Sequence, residues 1–399
     1  MQCIVCHQIT EFTQFTLGSR PLSTEFSESQ NYGEKFFEIT LGICGDCFTI
    51  QLTSVPNFED LIPRFPFIPS NEPEDHLDFL TEFLINNFET GVFSNICGLS
   101  HKDSSLLKRL EDKHSKRVYI LDKSKDFEFT NKNANIESIQ HALSIENDSL
   151  ISKFSDQFSM VIARHILEHS SDVSKFIQNL KSLLRPDGYL LIEVPDSTKS
   201  LMTCDYSMVW EEHTIYLNTT QLTFILETLG FEIKYINSFE LPYENSIVVF
   251  AQKSSQNVLT KPSQDMHALF SRYNSRFEEV IDGLQQLISV SLRNGKRIGI
   301  FGAGHFACAF VHYFGLQKSI KLCFDDTPSK IGRFLPGTSI PIVAADEITK
   351  NSVDICLLAV SLSNEQKVLE KFNEFTDSGA TIYSIFVNSS ISVFNQEKL

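Results

Sequence analysis

From about Glu89 onward, short apolar runs alternate with stretches whose apolar residues recur every three or four positions. FSNICGLS, RVYILD, FSMVIARHILEH and GYLLIEVPD read as strands, the third running into a loop, while SSLLKRLEDK and TTQLTFILETLGF read as helices. Such alternation predicts βαβ units and a mainly parallel sheet. The rhythm returns after a charged helical stretch from about Met266 to Leu292, where GKRIGIFGAGHFACAFVHYFG gives a strand, a glycine turn and a helix, and KLCFDD a further strand. Ahead of both, a turn at LGSRPLSTEF leads into the alternating KFFEITLGIC, a strand. The pattern predicts an α/β chain of two Rossmann-like doubly wound domains behind a small module, divided at 1–75, 76–255 and 256–399. With 399 residues, two or three cores are expected.

Composition narrows the function. A formal net charge of −16, with no Lys/Arg cluster to overcome it, excludes nucleic acid as an expected partner. No run of about eighteen apolar residues occurs and MQCIVCHQ lacks a signal-peptide pattern, so a cytoplasmic protein with no membrane partner is expected, as monomer or dimer. The 34 Phe against one Trp read as packing material. Of nine cysteines, Cys97, Cys308, Cys323 and Cys356 fall in strand-like or helix-starting segments and read as buried inert thiols; Cys204 has no clear assignment.

The other four form two CxxC pairs, Cys3/Cys6 and Cys44/Cys47, on what read as two turns. Each pair can chelate one side of a tetrahedral zinc, and four thiolates make a closed, structural site whose metal supplies folding energy. Two disulfides or free thiols are the alternative. Gly45 suits a tight turn that aims backbone N–H groups at sulfur, and His7 is superfluous as a ligand. Asp122 ends the second strand of the central domain roughly twenty residues past the Gly98 turn, where doubly wound folds place a carboxylate for ribose hydroxyls.

The first CxxC, LGSRPLSTEF, the strand into the second CxxC and the following Gln51-Leu52 together resemble the zinc module of the sugar C-methyltransferases, which act on nucleotide-linked 4-keto sugars. ARHILEHSSDVSKFIQNLKSLLRPDGYLLIEVPD resembles class I S-adenosylmethionine (SAM)-dependent methyltransferases, with its HxLEH turn and its Leu184, Pro186, Gly188 turn. That likeness implies SAM as cofactor and places His165 beside it; Glu168 and His169 either belong to the site or cap the next helix. The family's GxxxG turn is reduced here to Gly98, with Ser100 and Asp103 left to supply polar contacts, although Asp103 also suits a helix cap.

Trp210-Glu211-Glu212-His213-Thr214-Ile215-Tyr216 resembles the family's catalytic YxEHxxY segment. The resemblance implies that His213 is the base that removes a proton beside the ketone, that Glu212 orients it or binds a sugar hydroxyl, and that Tyr216 donates to the enolate oxygen. Three departures bear on the substrate. Trp210 replaces a tyrosine, Phe65 and Phe67 stand where a catalytic tyrosine is expected in the segment that ends at His76, and Tyr243-Glu244-Asn245-Ser246 replaces a glycine-rich stretch. His76 and Asn245 are the candidate substrate contacts of those two segments.

In the last domain, Gly302-x-Gly304-x-x-Ala307 with Asp325 looks like a dinucleotide fingerprint. The sugar C-methyltransferases end in a similar domain that helps hold the nucleotide-sugar, and Asp325 or Asp326, Pro328, Lys330, Gly332 and Pro336-Gly337 keep its order. On that likeness Gly302, Gly304, His305, Asp325 and Lys330 are substrate-binding; a third reading is that the glycines only pack helix on strand. The leading expectation is methyl transfer from SAM to a carbon beside a ketone of a nucleotide-linked deoxysugar. The alternatives are an NAD(P)-dependent sugar oxidoreductase or epimerase and a non-catalytic nucleotide-sugar-binding relative.

Overall fold

In the computed structural model, which describes residues 1–29, 34–63, 74–113, 117–241, 244–254, 262–349 and 353–396, the strands gather into three sheets. The N-terminal part supplies β1 (Phe12–Arg20), β2 (Phe37–Cys44) and β3 (Ile50–Leu52). The central part supplies β4 (Ile96–Gly98), β5 (Val118–Ile120), β6 (Phe158–Arg164), β7 (Leu184–Asp196), β8 (Ile215–Tyr216), β9 (Phe231–Phe239) and β10 (Asn245–Lys253). The last part supplies β11 (Ile298–Phe301), β12 (Ile320–Asp325), β13 (Ile342–Ala344), β14 (Ile355–Leu358) and β15 (Thr381–Ser384).

The central sheet runs β5-β4-β6-β7-β10-β9, with β5, β4, β6 and β7 parallel and β10 antiparallel to both its neighbours. All seven residues of β6 are buried, as an apolar strand covered on both faces requires. The helix Val173–Leu183 covers one face, burying Val173, Phe176, Ile177, Leu180 and Leu183 completely, each worth about 1.5–3 kcal/mol. Its cap is Asp172, which accepts from the Lys175 amide at 2.8 Å, so Glu168 and His169 are not the capping residues. The expected turn at Leu184, Pro186 and Gly188 is drawn into the start of β7: Phe158 pairs with Leu184 and Met160 with Tyr189, and the register shift between them absorbs the extra residues.

The C-terminal sheet is wholly parallel in the order β13-β12-β11-β14-β15, so both large sheets reverse their winding at their first strand, β4 or β11. Crevices outside such switch points are where open α/β sheets bind ligands. The third sheet runs β1-β2-β3-β8: the central chain returns to give β8 to the N-terminal module, with Ile50 opposite Tyr216 and Gln51 opposite Ile215.

A helix of 29 residues, Asp265–Arg293 and about 44 Å long, buries Met266, Phe270, Tyr273, Phe277, Leu284 and Ile288 in a core shared with the first module and the C-terminal domain. Phe15 of β1 lies against Phe270 and Phe277 with ring centroids 5.7 and 5.4 Å apart. Phenylalanine is packing material at this junction. Among the described residues no helix is long and apolar enough to cross a membrane.

Candidate active site

Two motif segments meet at the carboxyl end of the central sheet. The LEH turn after β6 and the EEHT segment before β8 are clipped together where the Thr214 amide donates to the Glu168 carbonyl at 2.7 Å and the Thr214 hydroxyl donates to the carbonyls of Glu168 and Ser170 at 3.0 and 2.6 Å. The clip sets His213 edge-on to His169, ring centroids 4.8 Å apart. His169 donates from Nδ1 to Glu137 Oε1 at 2.6 Å. Burial works against a charge on His169, but the Glu137 carboxylate outweighs it and raises its pKa. Burial and the neighbouring His169 hold His213 well below the usual histidine range, which keeps it neutral.

A narrow cavity opens beside this pair, lined by His213, Tyr216, Glu168, Ser197 and Glu244. Burial pushes Glu168 up, yet His165 and His169 hold it below the ordinary carboxylate range, and its buried Oε2 has no hydrogen-bond partner among the described residues. Tyr216 stays protonated because burial raises it, and its hydroxyl accepts from the Trp210 amide at 3.1 Å. Glu212 is half-buried and raised by burial. Of the expected substrate contacts, Asn245 is outside this lining: it begins β10 opposite Asp196, and its neighbour Glu244 reaches the cavity. Phe65, Phe67 and Tyr243 lie outside the described residues.

His76 is buried on another group. Its Nε2 lies 2.9 Å from Glu193 Oε1, and Glu193 also accepts from Arg164 Nε at 2.5 Å, His165 Nε2 at 3.1 Å and the Ser246 hydroxyl at 2.8 Å. His165 holds a left-handed φ of 49° and comes within 3.7 Å of Glu168, so it links the Glu193 network to the cavity. Backbone strain at a non-glycine residue is a mark of functional loops.

The switch point of the central sheet tests the fit of SAM. Asp122 is exposed at the end of β5, with Oδ1 accepting from the Ser124 and Lys125 amides, an arrangement that leaves a carboxylate facing solvent where a ribose would lie. The first turn is different. Asp103 Oδ2 takes the Leu99 and Ser100 amides at 2.7 and 2.8 Å, its Oδ1 takes the Arg164 amide at 2.8 Å, and Lys102 Nζ donates to the His165 carbonyl at 3.0 Å. A Cβ on Gly98 would meet Leu107 and Asp103 side chains at 2.6 and 2.9 Å, so the glycine accommodates protein at close range. Ser100 caps the short turn His101–Asp103 and Asp103 completes its capping box. Ser100 and Asp103, expected to offer polar contacts to the cofactor, are both buried and bonded within the turn, with Asp103 in the capping role that the sequence also allowed.

The four cysteines fit a metal. Cys3 and Cys47 Sγ are 3.6 Å apart and Cys6 and Cys44 Sγ 3.8 Å, with all four within 4.8 Å of one another. Four Zn–S bonds of about 2.3 Å give a tetrahedron with edges of about 3.8 Å. Backbone amides are aimed at sulfur: Val5 N lies 3.4 Å from Cys3 Sγ, the Cys47 amide bonds Cys44 across the turn that holds Gly45, and Gly45 N itself donates to the Glu11 carbonyl. His7 pairs with Asp172 at 3.4 Å. Two other donor groups, Glu168/His169/His213 and Glu211/Glu212/His305, are compact enough for a metal, but His169 is engaged by Glu137 and Glu211 by Arg20.

At the second switch point Gly302 has φ 98°, and a Cβ there would lie 2.8 Å from the Ala359 carbonyl, so only glycine is free of strain. Gly304 caps the helix His305–Tyr313 and faces open space. Asp325 Oδ2 accepts from the Ala303 amide at 2.7 Å, and Lys330 Nζ donates to the Ala303 carbonyl at 2.7 Å and lies 3.3 Å from Asp325. Asp325 and Lys330, expected to contact substrate, are buried and bonded to the turn itself. His305 is also buried, against Glu211 and Trp210. Sequence reasoning missed Arg20 and Glu137, because nothing in their local patterns marks them, and it gave no role to Glu211, which it saw only as part of the Trp210–Tyr216 segment.

Comparison with known proteins finds relatives for both larger parts of the chain. Residues 97–236 match the family model described as a methyltransferase domain, and residues 255–386 match the C-methyltransferase C-terminal domain. The C-methyltransferase NovU of Streptomyces niveus is 22% identical over 395 residues, spanning 95% of this chain and 93% of its own. Solved structures similar to parts of the chain include a putative SAM-dependent methyltransferase from Listeria monocytogenes (10% identity, 44% of this chain and 97% of that one, TM-score 0.32) and a SAM-dependent methyltransferase from Aquifex aeolicus (14%, 45% and 93%, 0.30). With both domain models matched in chain order and a relative aligned nearly end to end, the comparisons support SAM-dependent C-methyltransferase activity for this chain.

Proposed function

We propose that the enzyme methylates a carbon adjacent to a ketone of a nucleotide-linked deoxysugar, in three units at 1–75, 76–255 and 256–399, with a structural zinc on Cys3, Cys6, Cys44 and Cys47. The observation that carries this reading is that His213, Tyr216 and Glu168 line one cavity, with His213 held neutral beside His169. His213 takes the proton from the carbon, the C–H electron pair moves into the ketone to give an enolate, and Tyr216 donates to the oxygen that gains charge. Glu212 holds a sugar hydroxyl or orients His213. SAM, when bound, supplies an electrophilic methyl group to the resulting carbanion. Asp122 would hold its ribose, and the stapled turn at Asp103 has to loosen to admit the rest.

The test is methyl transfer from labelled SAM to a panel of nucleotide-linked 4-keto sugars, paired with exchange of the carbon-bound proton in D2O without SAM. His213→Ala is expected to lose both activities, by about a hundredfold or more. Full activity of His213→Ala sinks the base assignment, and methylation at oxygen in the product sinks the reaction class.

A further inference from the structure

Residues 209–211 are held from two sides by parts of the chain far away in sequence. Glu211 is almost wholly buried, and its carboxylate is bound by Arg20 of β1, which is fully buried, by the Ser23 amide at 2.8 Å and by His305 Nδ1 at 3.3 Å. The Ser23 hydroxyl lies 3.2 Å from the same imidazole nitrogen. The Arg20 guanidinium sits over the Tyr313 ring, 5.1 Å from its centroid, and Tyr313 donates to the Val209 carbonyl at 2.9 Å. Beside these contacts stands Trp210, the chain's one tryptophan, stacked on His305 at 3.9 Å and 24° and on His213 at 5.1 Å and 17°. Three rings from two domains therefore lie in one stacked group that includes the proposed base.

We propose that Arg20, Glu211 and His305 are positioning residues: a clamp between the first and last domains that holds Trp210 as a plate and thereby fixes the ring of His213. This deepens the reading of His213 as the base and rests on it. A buried ion pair is a poor means of gaining stability, because desolvation offsets most of the attraction, whereas apolar residues of the same volume would pack as well. What the pair does supply is a single geometry, with each carboxylate oxygen assigned its own donor. The indole likewise presents a flat, rigid face at a position where the resemblance expects a tyrosine hydroxyl. His305 thus has a role in the glycine turn other than contact with a nucleotide-sugar.

The test uses the full, metal-loaded chain and exploits its lone tryptophan. His305→Ala, His305→Phe and Glu211→Gln are compared by acrylamide quenching of Trp210 emission, by circular-dichroism melting, and by kcat and KM for methyl transfer to a nucleotide-linked 4-keto sugar. His305→Ala is expected to stay folded, to expose Trp210 to quencher and to lower kcat by about tenfold to a hundredfold with little change in KM, as a small misplacement of a reacting group does. His305→Phe restores the stacked plate and is expected to recover the quenching protection and most of kcat. Glu211→Gln keeps the acceptor for Ser23 but loses the charge that holds Arg20, and is expected to fall between them. A folded His305→Ala whose quenching and kcat match the wild type overturns the clamp, as does a folded His305→Phe no better than His305→Ala. Retained transfer by His213→Ala overturns the base reading alone and leaves the quenching comparison standing, since that comparison needs no substrate.

Discussion

Removing one thiolate from the four-cysteine cluster should disorder β8 at a distance. The cluster is sewn to the central domain through the Val173 amide on the Ile4 carbonyl at 3.0 Å, the Ser174 hydroxyl on the Val5 carbonyl at 2.6 Å, and Gln221 Nε2 on the Cys47 carbonyl and Thr49 hydroxyl at 2.8 and 2.6 Å. From Cys47 the chain passes within three residues to β3, whose Ile50 and Gln51 pair with Tyr216 and Ile215 and whose Leu52 amide donates to Thr214 at 2.9 Å. Structural zinc sites contribute about 10–16 kcal/mol of apparent binding energy, as much as the whole stability of a typical domain, about 5–15 kcal/mol. A short module cannot replace that from its own core. Cys47→Ser should therefore lose its metal and unfold residues 1–52 locally, releasing β8. The assay is metal content by mass spectrometry together with hydrogen exchange: about one zinc per wild-type chain, with protection lost in the variant over residues 37–52 and at Thr214 to Tyr216 but kept over β11 and β12. A metal-free wild type, or a metal-depleted protein that still protects Tyr216, refutes the reasoning.

Two further outcomes follow from the site. Thr214→Val is nearly isosteric but removes the hydroxyl bonds to the Glu168 and Ser170 carbonyls, and with the Ser170 acceptor left buried it should cost about 2 kcal/mol in urea unfolding and lower kcat more than it raises KM. His169 has a folded pKa raised above 6.5 by Glu137, so its contribution to stability is complete below about pH 6.5 and is lost as pH rises through the higher folded value. Glu137→Gln should abolish that part of the slope, narrowing the stability gap between the two proteins as pH rises. A gap that widens above neutrality contradicts the pairing.

What the sequence could show and what it could not divide along a physical line. Periodicity found the regular elements because burial enforces it: the helix expected from Met266 to Leu292 runs Asp265–Arg293, and the apolar runs became β4, β5, β6 and β7. Motif spacing singled out the cysteine pairs, whose sulfurs the fold brings within 4.8 Å of one another, and His213, whose ring the fold sets beside His169. At both glycine turns it left the partners of the backbone amides open, for one shared reason. A glycine turn advertises free amides, but whether they are free depends on side chains that arrive from later in the fold. Asp103 reaches back to take the amides of Leu99 and Ser100, while Asp325 and Lys330 close on Ala303 from a separate strand and loop. Arg20 shows the opposite failure, since it occupies an unremarkable place in LGSRPLSTEF and gains its meaning only from Glu211, 191 positions away. A carboxylate in a local motif can be read as a ligand, a cap or half of an ion pair. The deciding quantity is which donors fill its lone pairs, and for Asp103, Asp325 and Glu211 those donors are contributed by the folded chain itself.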